Sequence, residues 1–246
     1  MSSLNLSTFV KISFMDKAHI LIVEDETTLG LLLKENLKTK NFIAKLAKDG
    51  EEGWKYFSTE RFDLCIIDIN MPKLNGFELA KRIREKNTIV PIIFLTANSS
   101  QDDKIRGFDY GADEYITKPF NFEELVARIK AILKRTQYAQ QDLASKHEQF
   151  IIGNTTIDVT NHKLLINGTE KKITTTEGLL FKLLLSNKNQ LITRNTILIQ
   201  VWGRDDYYTA RNLDVYINKL RKLIKDDQSV EIVNVHGSGF KIVEKI

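Results

Sequence analysis

The chain has little cysteine, proline or glycine, and it lacks long apolar runs. Its single cysteine excludes an intramolecular disulfide and a multi-cysteine zinc or iron–sulfur site. Its 12 glycines and 3 prolines exclude a collagen-like or linker-dominated chain. No apolar run approaches the roughly 18 residues of a membrane span, and residues 1–14 have no apolar core of a secretory signal. We therefore expect a cytoplasmic protein with no membrane partner.

The length and charge of the chain indicate two globular domains, one of them with a basic surface. At 246 residues the chain is long enough for two compact domains, and 28% charged with 42% hydrophobic residues is an ordinary globular balance. The net charge is +4, and residues 209–225 alone carry five basic side chains against one acidic one. Such a concentration suits a polyanionic partner.

The first half of the sequence alternates short apolar runs with helical patterns. Five strands alternating with five helices predict an α/β fold with a doubly wound, parallel five-stranded sheet. Cys65 lies inside the third run, where a buried structural thiol is expected rather than a redox sensor. The five runs are 19–23, 42–46, 63–68, 90–95 and 114–117.

The second half has a different rhythm. Four short β-like segments precede a helix opened by Thr174, and Glu177 three residues later completes a capping-box pattern. Two further helical patterns and a glycine-tipped hairpin follow, which together predict a winged helix-turn-helix α+β domain. The predicted divisions are an N-terminal tail at 1–17, the α/β domain at 18–136, a polar linker at 137–147 and the winged-helix domain at 148–246.

Chemically useful side chains follow four of the five predicted strands. They are Glu24 and Asp25 after the first, Asp68 at the third, Thr96 at the fourth and Lys118 after the fifth. In an open parallel sheet these strand ends form the ligand-binding edge. Clustered carboxylates repel one another and need a cation. Oxygen ligands that are partly open to water suit Mg²⁺. A carboxylate beside Mg²⁺ can accept a phosphoryl group. Taken singly, each residue would fit an ordinary turn or helix cap.

Residues 18–136 closely resemble a bacterial response-regulator receiver domain, in the motifs ILIVEDE, DLCIIDINMPKLNG, FLTA and YITKPF. The whole chain resembles the OmpR/PhoB subfamily of two-component regulators, which implies a sensor histidine kinase as the phosphoryl donor. The resemblance also implies a cis Lys118–Pro119 bond. It makes Asp68 the phosphoryl acceptor, and Thr96 and Lys118 the phosphoryl contacts. Tyr115 would be an aromatic switch whose side chain turns inward on activation. The implied Mg²⁺ ligands are Glu24, Asp25, Asp68 and the backbone carbonyl of Asn70.

The same resemblance implies that the phosphorylated receiver forms a symmetric homodimer through intersubunit salt bridges. The three implied pairs are of opposite charge in this sequence. Charge alone favours solvated helix faces instead, where an ion pair contributes about 0–1 kcal/mol, and the resemblance favours the dimer interface. The pairs are Lys104 with Glu124, Glu114 with Arg128, and Asp109 with Arg135.

Helix 210–224 has an apolar stripe and an opposite face of basic and amide side chains, which suits reading of the DNA major groove. An ordinary solvated face is the alternative, but the following hairpin favours the wing of a DNA-binding domain. The motifs ITTTEGLLFKLLL, ILIQVWG, ARNLDVYINKLRKLI and VNVHGSGFKI extend the resemblance. Trp202 is expected either near the DNA backbone or RNA polymerase, or in the core. The implied DNA contacts are Arg211, Asn212, Val215 and Lys219, with Tyr216 and Arg221 at phosphates and His236 in the wing.

The sequence thus predicts a phosphorylation-dependent transcription regulator rather than an enzyme. Its partners would be a sensor kinase, double-stranded DNA carrying direct repeats about one helical turn apart, and RNA polymerase. One rival is a phosphohydrolase that uses a phospho-aspartate, but its usual second acid stands at Asn70, which cannot transfer a proton. The other rivals are a receiver with a protein-binding output, and a regulator that works without phosphorylation.

Overall fold

The computed structural model describes residues 17–97, 110–145, 148–203, 205 and 207–245, with the backbone alone at 137–145, 207–209 and 211. The helices are α1 Thr27–Thr39, α2 Gly50–Thr59, α3 Gly76–Lys86, α4 Phe122–Ser145, α5 Thr175–Ser186, α6 Arg194–Trp202 and α7 Tyr207–Ile224. The strands are β1 His19–Val23, β2 Ile43–Ala47, β3 Leu64–Asp68, β4 Ile92–Thr96, β5 Glu114–Thr117, β6 Gln149–Ile152, β7 Thr155–Asp158, β8 Lys163–Ile166, β9 Thr169–Lys172, β10 Ile192–Thr193, β11 Val230–Val235 and β12 Gly239–Glu244.

The first domain is built on the predicted parallel sheet, whose strand order is β2-β1-β3-β4-β5. Strands β3 and β4 are buried along their whole length, as continuous apolar runs covered on both faces require. The fourth predicted helix belongs between the fourth and fifth apolar runs, where residues 98–109 are outside the described residues. Strand β5 forms one edge of the sheet and is paired with β4.

The second domain is the predicted winged-helix arrangement. A four-stranded antiparallel sheet, β6-β7-β8-β9, precedes the three helices α5, α6 and α7. The hairpin of β11 and β12 follows, and β10 completes its sheet in the order β10-β12-β11. The capping box of Thr174 and Glu177 is present and begins α5.

The long helix α4 leads out of the first domain and continues to Ser145. Most of the segment predicted as a linker is therefore helical in its backbone. The predicted domain boundaries stay predictions, since they concern independent folding units. In the described part of the chain, no helix is both long and apolar enough to cross a membrane.

Candidate functional site

Asp68 is the last residue of the buried strand β3, so the strand delivers its carboxylate to the carboxyl edge of the sheet. Its Oδ1 accepts a hydrogen bond from the backbone N–H of Asn70 at 3.1 Å. Helix α3 begins immediately behind it, and a Cβ on Gly76 would lie 2.3 Å from the backbone oxygen of Asp68. Only glycine allows this close approach of the start of α3 to the end of β3.

Three carboxylates and one lysine meet at this edge. Each of Glu24, Asp25 and Asp68 offers an oxygen, and these oxygens lie within 4.8 Å of one another. The ammonium group of Lys118 donates to Asp68 Oδ2 at 2.6 Å and to both oxygens of Glu24 at 2.8 and 2.9 Å. Asp25 is exposed while Glu24 and Asp68 are buried, so the cluster opens to solvent on the Asp25 side.

The electrostatics of the cluster favour an added cation. Burial raises the pKa of Glu24 to about 7, a rise that the hydrogen bond from Lys118 opposes and the negative charge of Asp68 reinforces. For Lys118, burial would lower the pKa, but its hydrogen bonds to Asp68 and Glu24 outweigh this and raise it. A bound cation would favour the ionised form of Glu24, since Lys118 alone balances only part of the charge that three ionised carboxylates carry. The oxygen-only donor set, partly open to water, fits Mg²⁺.

The other residues implied for phosphoryl transfer surround the same edge. Thr96 ends β4 and is buried, and its carbonyl accepts from the backbone N–H of Lys118 at 2.6 Å. The Lys118–Pro119 bond is cis, as predicted. Tyr115 already lies buried in this structure, with its ring edge-on to Phe94 at 6.0 Å. Its role as a switch stays a prediction.

Helix α7 carries the residues implied for DNA binding. Its predicted apolar stripe, Leu213, Ile217, Leu220 and Ile224, is fully buried. Trp202 is also buried and packs on Tyr216, with 5.5 Å between the ring centroids. Of the two placements expected for Trp202, the structure has the one in the core.

Two of the implied DNA contacts face the receiver-like domain instead of solvent. Asn212 is only 5% exposed, and its side-chain amide donates to Glu114 Oε1 at 3.0 Å. Tyr216 is 1% exposed, and its hydroxyl donates to the carbonyl oxygen of Ala112 at 2.7 Å. The face of α7 that includes these two side chains is therefore covered in this arrangement of the chain.

The remaining implied DNA contacts differ in their surroundings. Lys219 pairs with Glu177 of α5 at 2.6 Å, and Val215 is partly buried against the core. Arg221 donates to the carbonyl of Ile232 at 2.8 and 2.9 Å. His236 is exposed at the tip of the hairpin, as a wing residue would be. The side chain of Arg211 lies outside the described residues.

The residues implied for dimerisation are partly engaged within the chain. Arg128 is 2% exposed and donates to Glu114 at 3.0 Å and to Glu124 on its own helix. Arg135 donates to the carbonyl of Val201 at 3.2 Å. Lys104 and Asp109 lie outside the described residues. The intersubunit pairing of these groups stays a prediction.

Sequence reasoning missed one group of polar contacts. Asp113 accepts from Arg84 at 3.0 Å and from the hydroxyl of Thr176 at 2.6 Å, and Arg135 lies 3.8 Å from it. These contacts join residues up to 63 positions apart. No local pattern signals such a distant pairing, because Thr176 looks like an ordinary first-turn helix residue.

Comparison with known proteins supplies independent findings. The family model "Response regulator receiver domain" matches residues 20–130, and "Transcriptional regulatory protein, C terminal" matches residues 168–242. The transcriptional regulatory protein RprY of Bacteroides fragilis is 44% identical over 93% of this chain and 95% of its own length. The response regulator ArlR of Staphylococcus aureus is 40% identical over 91% and 98%. Among solved structures, a RitR mutant covers 92% of this chain and 99% of its own with a TM-score of 0.74 and 24% identity, a likeness of fold.

Proposed function

Since this chain belongs to the OmpR/PhoB family of two-component response regulators, we propose that it is a transcription regulator controlled by phosphorylation of Asp68. The observation that carries the proposal is the contact of Lys118 with both Glu24 and Asp68 at the edge of the sheet. It gathers an acceptor carboxylate, a cation and a set of metal ligands in one place.

The residues support a simple transfer mechanism. A carboxylate oxygen of Asp68 attacks the phosphorus of a phosphohistidine on the kinase; the P–O bond forms as the P–N bond breaks, and the imidazole leaves. Bound Mg²⁺, held by Glu24, Asp25, Asp68 and the carbonyl of Asn70, would neutralise charge on the phosphoryl oxygens. Lys118 would pair with one of these oxygens after releasing Asp68 Oδ2.

A surface next to this site suits a kinase partner. A pocket of about 430 Å³ lies between α1 and the segment after β5, and its lining includes Leu29, Leu32, Lys118 and Phe120. Leu32 is 58% exposed and Leu31 50% exposed. Of these two, Leu32 lines the pocket, so its exposed side chain adds apolar area that a bound kinase could cover.

Phosphorylation would act at a distance through dimerisation. A phosphoryl group adds about −1.5 to −2 charge to one carboxylate, and the new contacts with Thr96 and Lys118 would bias the receiver toward a dimer built on Glu114, Glu124, Arg128 and Arg135. Dimerisation brings two winged-helix domains together on direct repeats, which raises their local concentration. RNA polymerase is the proposed partner at the promoter.

The test of this function is phosphoryl uptake by Asp68. We expect the wild-type protein to be labelled by acetyl phosphate only when Mg²⁺ is present, and the Asp68→Ala variant to lose the label. Asp63→Ala is the matched control, since Asp63 is an exposed aspartate of the same domain, and it should be labelled like the wild type. An Asp68→Ala protein that takes up phosphate at the wild-type stoichiometry would refute the proposal.

A further inference from the structure

The loop between β3 and α3 carries Asn70, whose backbone carbonyl is an implied Mg²⁺ ligand. At the start of the loop, the N–H of Asn70 donates to Asp68 Oδ1 at 3.1 Å. At its end, the N–H of Gly76 donates to the carbonyl of Ile69 at 3.0 Å. Asn70 itself is exposed, so the position of its carbonyl group depends on how the rest of the loop is held.

The middle of this loop has a strained backbone. Lys73 has a φ of 67°, in the left-handed region that residues with a Cβ rarely adopt. The N–H of Leu74 donates to the carbonyl of Pro72 at 2.9 Å, which places Lys73 at the centre of a γ-turn with positive φ. This form of the γ-turn is rare and strained. Such strain persists only where the surrounding structure holds the residue in place.

An ion pair connects this strained residue to the start of α2. The ammonium group of Lys73 donates to Asp49 Oδ2 at 2.5 Å, across 24 positions of the chain. Asp49 Oδ1 accepts from the N–H of Glu52 at 2.9 Å and so caps α2. The side chain of Asp49 is only 5% exposed, whereas that of Lys73 is 60% exposed. A carboxylate this buried costs free energy unless it is paired and hydrogen-bonded, so Asp49 favours keeping Lys73 in contact.

Packing beside the ion pair brings α2 against the same part of the loop. A Cβ on Gly50 would lie 2.0 Å from the backbone oxygen of Leu74, so the start of α2 touches the loop directly. Leu74 is buried. Since Asp49 and Gly50 are adjacent in the chain, the close packing and the ion pair act at one point. Helix α2 thus supports the loop at both Leu74 and Lys73.

We infer that Lys73 is a positioning residue for Mg²⁺: its ion pair with Asp49 holds the loop so that the carbonyl of Asn70 can bind the metal. The inference rests on the proposed function, because it concerns the metal that this function requires. Lys73 contacts neither the metal nor the phosphoryl group and acts through the backbone between Asn70 and Leu74. Groups that orient metal ligands in this way typically change metal affinity by about 10–100-fold when they are removed.

The charge of Lys73 makes the inference testable by the sign of the effect. Removing a positive charge near a cluster of carboxylates should by itself strengthen the binding of a cation. Losing a contact that positions a ligand should weaken it. Lys73→Met removes the ammonium group and keeps an unbranched side chain, so its effect on Mg²⁺ affinity distinguishes the two causes.

Mg²⁺ affinity is measured on the full chain by titration with MgCl₂ alone, followed by the NMR chemical shifts of receiver amides. We expect Lys73→Met to weaken Mg²⁺ binding about tenfold, and Lys73→Arg, which keeps the charge, to restore most of the affinity. Asp49→Asn keeps a residue that caps helices well but removes the charge that holds Lys73, so it should weaken binding similarly. Lys81→Met is the matched control at an exposed lysine of α3 and should keep the wild-type affinity.

Lys73→Gly separates positioning from general stability. Glycine adopts a positive φ without strain, so this variant should resist urea at least as well as Lys73→Met. It also lacks the ammonium group and should bind Mg²⁺ as weakly as Lys73→Met. Combining Lys73→Met with Asp49→Asn should weaken binding no further than either change alone, because both remove the same contact. Circular dichroism checks folding, and Lys73→Gly carries the test if Lys73→Met does not fold.

The outcomes separate this inference from the proposed function. If the wild type binds Mg²⁺ and is labelled on Asp68, while the folded Lys73 variants bind Mg²⁺ at least as tightly, the positioning role is wrong and the proposed function stands. Equal weakening in Lys81→Met would also overturn the positioning role, because the effect would not be specific to the ion pair. If MgCl₂ shifts no amide of the wild type, the metal site of the proposed function fails and this inference fails with it.

Discussion

Single side chains of this protein differ in reactivity according to their burial. Cys65 is fully buried in β3, and this burial raises the pKa of its thiol from 9.0 to about 12. Thiolates, not thiols, react with disulfide reagents, so we expect no reaction of the folded protein with DTNB at pH 8. The single thiol should react at once in urea. Rapid reaction of the folded protein at pH 8 would mean that the thiol is accessible and that a redox role deserves testing.

His162 shows how burial of one residue makes stability depend on pH. It lies between β7 and β8 with a positive φ of 54°, and it is buried. Burial lowers the pKa of its imidazole below 6.5, although the charge of Asp158 opposes this. A base whose pKa is lower in the folded state takes up a proton on unfolding, so stability is lost as the pH falls below about 6.5.

The substitution His162→Asn removes this titration, and asparagine tolerates positive φ better than most residues. We expect the variant to lose less stability than the wild type between pH 7 and pH 5, measured by thermal melting. His19→Asn, at an exposed histidine of β1, is the control and should keep the wild-type dependence. An unchanged pH dependence in His162→Asn would show that His162 is not the responsible group.

At the level of the helix, the start of α5 is fixed by its cap. The hydroxyl of Thr174 accepts from the N–H of Glu177, and the carboxylate of Glu177 accepts in return from the N–H of Thr174 at 2.7 Å. Thr174→Ala should lower the free energy of unfolding by about 1 kcal/mol. Urea titration measures this loss of stability. The control is Thr169→Ala, at an exposed position, which should change the free energy of unfolding by less than about 0.5 kcal/mol. A Thr174→Ala loss no larger than that of the control would show that the cap contributes little.

The elements were largely predictable because their signals are local. The capping box, the apolar runs of β3 and β4 and the stripe of Leu213 and Ile217 all depend on neighbours within a few positions. Residues at strand ends were predictable for the same reason, since topology brings Glu24 and Asp68 to one edge. Their burial and the bridge through Lys118 needed the structure.

At the scale of the whole molecule, the sequence did not predict how the two domains contact each other. Asn212 and Tyr216 have the residue types of a DNA-reading face, and nothing near them in sequence indicates that Glu114 and Ala112, about a hundred positions away, would be their partners. The contact depends on the shape and polarity of two folded surfaces. A pattern along one helix contains no information about the surface opposite it.

The contact between the domains predicts that a metal in one domain stabilises the other. Tyr115 of the receiver and Tyr216 of the winged helix belong to one continuous hydrophobic core. Mg²⁺ at a hundred times its Kd stabilises the state that binds it by about 2.7 kcal/mol. In a Trp54→Phe variant, Trp202 is the only tryptophan, so its fluorescence reports unfolding of the second domain. We expect saturating MgCl₂ to raise the midpoint of thermal unfolding that Trp202 reports by several degrees.

The control is NaCl at matched ionic strength. It should leave the unfolding midpoint reported by Trp202 nearly unchanged, because it does not supply a divalent cation. Adding Asp25→Asn to the Trp54→Phe protein should weaken the Mg²⁺ effect, since it removes one of the three clustered carboxylates. If Mg²⁺ shifts unfolding of the receiver, followed by amide exchange in β3, but not the Trp202 transition, the two domains unfold independently. If it shifts neither, the carboxylate cluster does not bind Mg²⁺, and phosphoryl transfer to Asp68 would need another source of positive charge.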